Sequence, residues 1–397
     1  MVSLNLDSLY RKISLWIDSR LGLTHTVLSP VQESSLHPLS WLGALAFIAF
    51  LGQALTGMLM LLYYVPLTDK AYSSTVYMIK EVPLGHLLVT FHLYNAYAMI
   101  FFTFAHLGRN YFLSVHKRPR ELMWMVGFLM GFVVLGFGLT GYLLPWTVVS
   151  KAATDVAIGM IGLVPGQIDL ILKFLITGNV GDQTMLLRFV HLHTVILPIA
   201  LLALLVLKLY MFEVHRAAPI PYIKRRIRVL PWFPKVFLYI LMISSIYLAF
   251  LFAITALFPL VLPPEFSPEI ASTYVAQPDW YFLWIYQILK FSVFEGTHVY
   301  YALGGIGIFL MIIFLLPFID KGTERNPISR PIYTSIGAVI LIIFVGLSIW
   351  GYLTPGQVIP ISKAVIIMGG LSSVTAIVTY TAIQIRKRAL KYSENSK

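Results

Sequence analysis

The chain has 397 residues, of which 58% are hydrophobic and only 12% are charged, and its formal net charge is +12. Its mean hydropathy of +0.81 lies far above that of a soluble domain and predicts a membrane protein. There is no cysteine, which excludes disulfides, iron–sulfur ligation and thioether-linked haem for this chain.

The first predicted element is a surface helix. The stretch "LDSLYRKISLWIDSRLGL", residues 6–23, is amphipathic and basic, which favours a helix lying on the membrane over a cleaved signal peptide. Apolar runs of about 20 residues then predict an all-α polytopic membrane protein with eight transmembrane helices, since each run can cross a hydrocarbon core of about 30 Å. The predicted spans are 39–64, 84–112, 122–146, 186–212, 235–260, 300–319, 332–352 and 363–386.

Basic residues are concentrated on one side of this arrangement. Most of the 29 Lys and Arg residues precede span one or follow spans two, four, six and eight. The positive-inside rule places this side, called the inner side below, in the cytoplasm with both termini. The positive charge is therefore topological, and no nucleic-acid partner is expected.

The chain divides into a front bundle and a rear part. The predicted parts are 1–38 (surface helix and lead-in), 39–215 (front four-helix bundle), 216–234 (inner connection) and 235–397 (four further helices). Long loops at 65–83, 147–185 and 261–299 lie on the opposite, outer side, where binding elements are expected. Within 147–185, Pro165 and Gly166 interrupt a helical pattern, which predicts two short helices along the membrane.

Two pairs of nitrogen-bearing side chains recur at matching depths. His92 and His106 lie fourteen residues apart on span two, so they return to within about 40° on one helix face and are separated by about 21 Å. Span four carries His193 near its outer end and Lys208 near its inner end. The pairs predict two stacked haems, each held between facing helices. The alternative is that each histidine only donates a hydrogen bond inside the bundle.

Glycines repeat the same spacing on the other two front helices. Gly43 and Gly57 lie on span one, and Gly127 and Gly141 on span three. A missing side chain at matching depths lets a flat macrocycle approach the backbone. Small residues also serve helix packing, although that explanation does not account for the shared period.

Motifs in order along the chain carry a resemblance to a known family. These are "SWLGALAFIAFLGQALTG", "FHLYNAYAMIFFTFAHLGRNYF", "KRPRELMW", "LTGYLLPW", "LLRFVHLHTVILP", "PDWYFLWIYQILK" and "LPFIDKGTERNPISRP". The sequence resembles cytochrome b of the quinol-oxidising cytochrome bc and b/f complexes of prokaryotic cell membranes. "KRPRELMW" and "HTVILP" look like the plastid-type branch, whereas front and rear halves in one chain look like the bc-type arrangement.

The resemblance implies two haems, most simply of b type, although a modified haem stays open. His92 and His193 would ligate the outer haem, and His106 the inner one. Arg109 would lie beside the inner haem; alternatively, it is a basic residue whose side chain extends to the membrane interface. Arg20, Glu213 and His215 are candidates for an inner quinone pocket, with solvated interfacial charges as the alternative.

The resemblance also implies a quinol-oxidising pocket on the outer side. It would lie between Tyr142 of "GYLLPW" and the residues Pro278, Asp279 and Tyr281 of "PDWY". The expected partners are quinol, a Rieske iron–sulfur protein, a further acceptor cytochrome or equivalent, and a second copy of the chain. Electrons from quinol would divide between the Rieske protein and the two haems, and this flow would be coupled to proton translocation.

Three positions depart from the family pattern. Asp279 replaces the usual glutamate; a proton-relaying carboxylate is kept on a shorter stem, a change associated with lower-potential quinones, and helix capping is the alternative role. An arginine expected near Val89 and Thr90 is missing. Lys208 stands where the fourth haem ligand is expected, and it either ligates the inner haem as a neutral amine or extends to the inner surface.

Two other functions remain open at this point. A dihaem membrane anchor of another dehydrogenase would keep the histidine pairs but would not need "GYLLPW" or "PDWY". A secondary transporter would use the intramembrane charges and would bind no haem.

Overall fold

The computed structural model describes residues 12–13, 15–16, 19–20, 31–161, 183–216, 218, 220–221, 229–275 and 277–395. Its α-helices are α1 (Leu42–Leu61), α2 (Ala71–Lys80), α3 (Gly85–Phe112), α4 (Glu121–Leu143), α5 (Val148–Ile161), α6 (Gln183–His191), α7 (Leu197–His215), α8 (Phe237–Leu257), α9 (Pro268–Thr273), α10 (Leu283–Leu289), α11 (Val299–Phe314), α12 (Leu316–Ile319), α13 (Pro331–Leu353) and α14 (Ile361–Asn395). One antiparallel pairing of β1 (Val31–Gln32) with β2 (Val229–Leu230) is the exception to an all-helical fold in this described part.

Shorter turns complete the helices. The 3-10 turns are Glu33–Leu36, Pro38–Trp41, Ser292–Phe294, Gly296–His298 and Pro327–Ser329. The π turns are Leu192–Ile196, which joins α6 to α7, and Trp232–Val236, which leads into α8. The predicted surface helix at 6–23 and the second short helix of the 147–185 loop lie largely outside the described residues, and α5 occupies the place of the first.

Seven helices of the described part are long and apolar enough to cross a membrane. They are Pro38–Leu61, Gly85–Phe112, Glu121–Leu143, Gln183–His215, Trp232–Leu257, Pro331–Leu353 and Ile361–Tyr392. They coincide with predicted spans one to five, seven and eight, so the prediction of a polytopic helical membrane protein is confirmed.

The sixth predicted span, 300–319, is interrupted instead of continuous. The helix α11 ends at Phe314, and α12 begins after Leu315. Pro317 has no N–H to donate to the carbonyl of Ile313, and the indole of Trp124 donates to that carbonyl at 2.9 Å. A side chain of the front bundle therefore replaces the hydrogen bond that the proline removes.

The front bundle is built on two helix pairs. The helix α1 packs along α3, and α4 packs along α7. Buried side chains from these helices, including Phe91, Val134 and Leu201, form one cluster, which Tyr247 and Leu251 of α8 join. The helix α8, which follows the inner connection, thus packs into the core of the front bundle.

A buried ionic cluster ties the rear part to the front bundle at the inner end. Asp320 accepts a hydrogen bond from His116 Nε2 at 2.9 Å, lies 3.2 Å from Lys117 Nζ and pairs with Arg330. The Arg330 guanidinium also donates to Ser114. His116, Lys117, Asp320 and Arg330, the inner cluster, join the loop after α3 to the loop after α12. Replacing one charged member with an apolar residue would leave a buried charge without its partner, which strongly destabilises the folded protein.

Candidate functional site

His92 and His193 face each other across the outer half of the front bundle. His92 lies on α3, and His193 lies in the π turn between α6 and α7, where Leu197 N–H donates to Leu192 O five residues back. Pro198 cannot donate to the carbonyl of Thr194, which favours this wider turn. A single π turn inside an α-helix changes the direction of its side chains and is common at functional sites.

The distance between the two imidazoles fits one metal ion between them. Their ring centroids are 6.4 Å apart. Two metal–nitrogen bonds of about 2.0 Å, each with about 1.1 Å from nitrogen to ring centre, give about 6.2 Å. No group of three or more His, Cys, Asp or Glu side chains in the described residues is arranged to hold a metal. Two facing imidazoles suit a metal that takes two ligands from the protein, as haem iron does.

Two threonines fix the protonation of both rings. Thr56 Oγ1 lies 2.7 Å from Gly52 O and 2.8 Å from His92 Nδ1. A carbonyl can only accept, so the hydroxyl proton goes to Gly52 and Thr56 accepts from Nδ1–H. Thr140 Oγ1 repeats this arrangement on the other side of the site, 2.8 Å from Gly136 O and 3.1 Å from His193 Nδ1.

These hydrogen bonds leave the Nε2 atom of each ring as an unprotonated lone pair. A neutral imidazole carries one N–H, and here that proton is on Nδ1. An imidazole whose Nδ1–H is held by a hydrogen-bond acceptor is the usual form of a metal-ligating histidine. In their neutral forms, both imidazoles of the outer pair are therefore protonated for coordination through Nε2.

Glycines lie against both imidazoles. A Cβ atom built on Gly141 would lie 2.6 Å from His193 Cε1, and one built on Gly57 would lie 3.4 Å from His92 Cε1. Each of these glycines directly follows one of the two threonines in the sequence. The helices α1 and α4 thus each supply a hydroxyl for the imidazole and an open backbone beside it.

The inner pair, His106 and Lys208, has glycines of α1 and α4 beside it as the outer pair has, but it includes an amine in place of one imidazole. A Cβ on Gly43 would lie 3.0 Å from His106 Cε1, and a Cβ on Gly127 would lie 2.6 Å from Lys208 Nζ. His106 Nε2 accepts from Asn110 Nδ2 at 3.0 Å, and its buried Nδ1 has no hydrogen-bond partner in the described part. A buried nitrogen without a partner, beside two glycines that carry no side chain, fits the requirements of a planar ligand such as haem at this level.

Arg109 lies beside the inner pair on α3. Its guanidinium donates to Asn110 Oδ1 at 3.1 Å and to Ser40 Oγ at 3.4 Å. Its positive charge is therefore next to the inner site, where it is placed for an anionic group such as a haem propionate.

A half-buried carboxylate lies among tyrosines on the outer side. Tyr97 of α3 donates to Asp279 Oδ1 at 2.9 Å, and Tyr281 donates to Asp279 Oδ2 at 3.4 Å. Tyr142, at the end of α4, is close enough to interact electrostatically with Asp279. Pro278, half-buried, precedes the carboxylate. We call Asp279, Tyr97, Tyr142 and Tyr281 the outer carboxylate cluster.

The outer carboxylate cluster borders the outer histidine pair. A Cβ on Gly138 would lie 2.9 Å from the Tyr281 hydroxyl, and Gly138 is three residues before Gly141, which contacts His193. Burial raises the pKa of Asp279, an effect that the hydrogen bonds from Tyr97 and Tyr281 oppose. A carboxylate with a raised pKa is a better proton acceptor at neutral pH than an exposed aspartate.

Comparisons with known proteins match nearly the whole chain. The family described as cytochrome b (N-terminal)/b6/petB matches residues 97–264, and the family described as cytochrome b (C-terminal)/b6/petD matches residues 270–374. The cytochrome bc complex cytochrome b subunit of Chlorobaculum thiosulfatiphilum is 31% identical over 84% of this chain and 79% of that protein. The chain belongs to the cytochrome b family.

Other relatives agree with this assignment. The cytochrome b subunit of the menaquinol:cytochrome c reductase of Bacillus subtilis is 37% identical over 49% of this chain and 92% of that protein. A solved structure of a hyperthermophilic respiratory Complex III has a TM-score of 0.76 and 25% identity, and the match covers 93% of this chain and 96% of that chain. This cytochrome b is thus a multi-pass, haem-binding electron-transfer subunit of a respiratory complex, and the transporter and dehydrogenase-anchor alternatives are set aside.

The three candidates for an inner quinone pocket, Arg20, Glu213 and His215, have the following contacts in this cytochrome b. Arg20 contacts Trp16 and Ser19 of its own segment. Glu213 pairs with Arg216 at 2.8 Å on the protein surface, and the backbone of His215 accepts from Arg120. These contacts give none of the three a role at the inner pair, and the inner pocket stays a prediction.

Sequence reasoning missed three residues that touch the candidate sites. Thr56 and Thr140 each directly precede one of the outer glycines, Gly57 and Gly141. This repeated Thr-Gly dipeptide was the available signal for them in the sequence. Tyr97 lies five residues after His92, and its hydroxyl in a transmembrane helix was the available signal for a polar partner.

Proposed function

We propose that this cytochrome b oxidises quinol at its outer side, passes one electron to a Rieske iron–sulfur protein and passes the other across two haems to quinone at the inner side, with coupled proton translocation. The observation that carries the proposal is the position of Asp279. A half-buried carboxylate next to the outer histidine pair supports a proton acceptor close to an outer haem site.

The haem sites follow from the two facing pairs. His92 and His193 would hold the outer b-type haem through their Nε2 atoms, with Gly57 and Gly141 leaving room beside the rings. His106 would hold one side of the inner haem. When bound, haem supplies one-electron redox chemistry between the two sides of the membrane.

The protein's own contribution to quinol oxidation is proton removal. Asp279 would accept the proton of a quinol hydroxyl on its carboxylate, while Tyr97 and Tyr281 hold the two oxygens in place. Tyr142 and Pro278 would line the same pocket. The hydrogen bond from Tyr97 compensates for the short aspartate stem, because it fixes the carboxylate from the haem-bearing helix α3.

The substrate class, partners and orientation complete the proposal. The aspartate in "PDWY" and the menaquinol named for the Bacillus subtilis relative favour a low-potential quinol. A further acceptor cytochrome would take electrons from the Rieske protein, and the complex would be a homodimer. The inner end, which carries the inner cluster and the basic end of α14, would face the cytoplasm of a prokaryotic cell, with both termini.

The test is the Asp279→Asn variant in the intact complex. We expect quinol-oxidising turnover to fall about 100-fold while the haem content stays unchanged, because asparagine keeps the size and loses the base. The wild-type rate should also fall with decreasing pH through the raised pKa of Asp279, since only the unprotonated carboxylate accepts a proton, and D279N should lose this dependence.

A matched control is Glu269→Gln, which removes an exposed carboxylate from the same outer loop. It should retain wild-type turnover. Wild-type turnover in D279N with both haems present would contradict the role of Asp279, and a purified complex whose reduced-minus-oxidised spectrum shows fewer than two haems per chain would contradict the electron path.

A further inference from the structure

Lys208 is the feature of the inner pair that the proposed function leaves unexplained. It lies on α7, seven residues before His215 at the end of that helix. An amine inside a transmembrane helix is costly, and such groups usually have a partner or a function. Among the described residues, Lys208 has no hydrogen bond or ion pair to a carboxylate or any other group.

The Lys208 side chain extends sideways and not toward the inner surface. Residues on either side of Lys208 in α7, Leu204 and Met211, belong to one apolar cluster with Val126 and Met130, which lie on either side of Gly127 in α4. The backbone of Lys208 is therefore level with that of Gly127. Its Nζ lies 2.6 Å from the position of a Cβ on Gly127, whereas a lysine that extends to the interface would place its Nζ nearer the end of the helix.

The amine occupies the position that an imidazole has in the outer pair. His193, in the π turn before α7, lies against Gly141 of α4. Lys208 of α7 lies against Gly127, which is also on α4. The other member of each pair comes from α3 and lies against a glycine of α1. Lys208 is also close enough to His106 to interact with it electrostatically.

We propose that the neutral amine of Lys208 is the second axial ligand of the inner haem, opposite His106, an assignment that rests on the proposed function. Lys208 loses one N–H proton to water at the inner end, and its nitrogen lone pair forms the bond to iron, whose oxidation state does not change. His106 exchanges its hydrogen bond from Asn110 for a bond from Nε2 to iron.

The experiment compares Lys208→Leu and Lys208→His in the haem-loaded complex. Leucine cannot ligate, so K208L should convert the inner haem from a low-spin form that does not bind carbon monoxide to a high-spin form that does, or lose that haem. K208H should restore a low-spin inner haem with two imidazole ligands. Lys321→Leu, which changes an exposed lysine at the inner end, should leave both spectra unchanged.

Near-infrared magnetic circular dichroism of the wild-type complex provides a measurement without mutation. The low-spin charge-transfer band of the inner haem should have the energy of imidazole–amine ligation, and the outer haem that of two imidazoles. Two bis-imidazole bands, or an inner haem with the same low-spin signature in wild type and K208L, would overturn lysine ligation and leave the proposed function standing. A complex without two haems would instead overturn the proposed function.

Discussion

The outer and inner pairs share a frame and differ in how far the protein prepares them. In the outer pair, Thr56 and Thr140 hold both Nδ1 atoms and leave both Nε2 atoms free. In the inner pair, His106 has its Nε2 engaged by Asn110 and its Nδ1 without a partner in the described part. The outer site is set for a metal before it binds, whereas the inner site must exchange a hydrogen bond for a metal bond.

This difference teaches that glycine spacing and ligand preparation are separate properties. Glycines in both pairs keep the backbone open, and they repeat with one period. The hydroxyl groups occur only beside Gly57 and Gly141, because Leu42 and Val126 precede the other two glycines. Leu42 and Val126 offer no side-chain acceptor, so the electronic properties of the two haems are expected to differ.

The largest effect that would sharpen the comparison comes from His193→Ala and His92→Ala. Each removes one of the two nitrogen ligands of the outer pair, so we expect complete loss of the outer haem with the inner haem retained. Haem quantification and a redox titration of the purified complex would measure this. If both variants keep two six-coordinate haems, the two histidines do not form one site.

A smaller, graded effect is expected from alanine at the two outer glycines. Gly141→Ala would place a Cβ 2.6 Å from His193, whereas Gly57→Ala would place one 3.4 Å from His92, at an ordinary contact distance. We expect G141A to reduce outer haem occupancy several-fold and G57A to keep more of it, because the π turn must move to relieve the first contact. Equal outer haem occupancy in G141A and G57A would contradict the closer approach of Gly141 to its histidine.

The smallest effect is a shift in potential from Thr56→Val and Thr140→Val. Each variant removes the acceptor for an imidazole N–H, which weakens electron donation by the ring and should raise the outer haem potential. A net hydrogen bond of about 1 kcal/mol corresponds to about 40 mV for one electron. Thr103→Val, which removes a hydroxyl bonded to Met99 O on α3, should leave both potentials unchanged, and a shift of the inner potential by T56V would contradict the assignment.

Much of the frame could be predicted from spacing alone. Fourteen residues on a helix return to nearly the same face, so the stacking of His92 over His106 and of the glycines beside them follows from helix geometry. The break at Leu315 could not be predicted in the same way, because a proline in a long apolar run kinks some helices and ends others.

Side-chain direction was beyond the reach of the sequence. For Lys208, both extension to the interface and a sideways path are compatible with its position, and packing of α7 against α4 decides between them. Tyr97 and Asp279 are separated by 182 residues, and no local pattern brings them together. The hydrogen bonds that position the carboxylate depend on how α3 packs against the loop before α10.

The inner cluster has a consequence for how the polypeptide is assembled. Asp320 and Arg330 are held by His116, Lys117 and Ser114 through buried charge and hydrogen bonds, and Trp124 adds a bond to Ile313. The contacts between the front bundle and the rear part are therefore made by side chains and do not depend on the inner connection that joins the two. Two separately translated pieces, divided in the inner connection between α7 and α8, would have the contacts needed to associate into one functional unit.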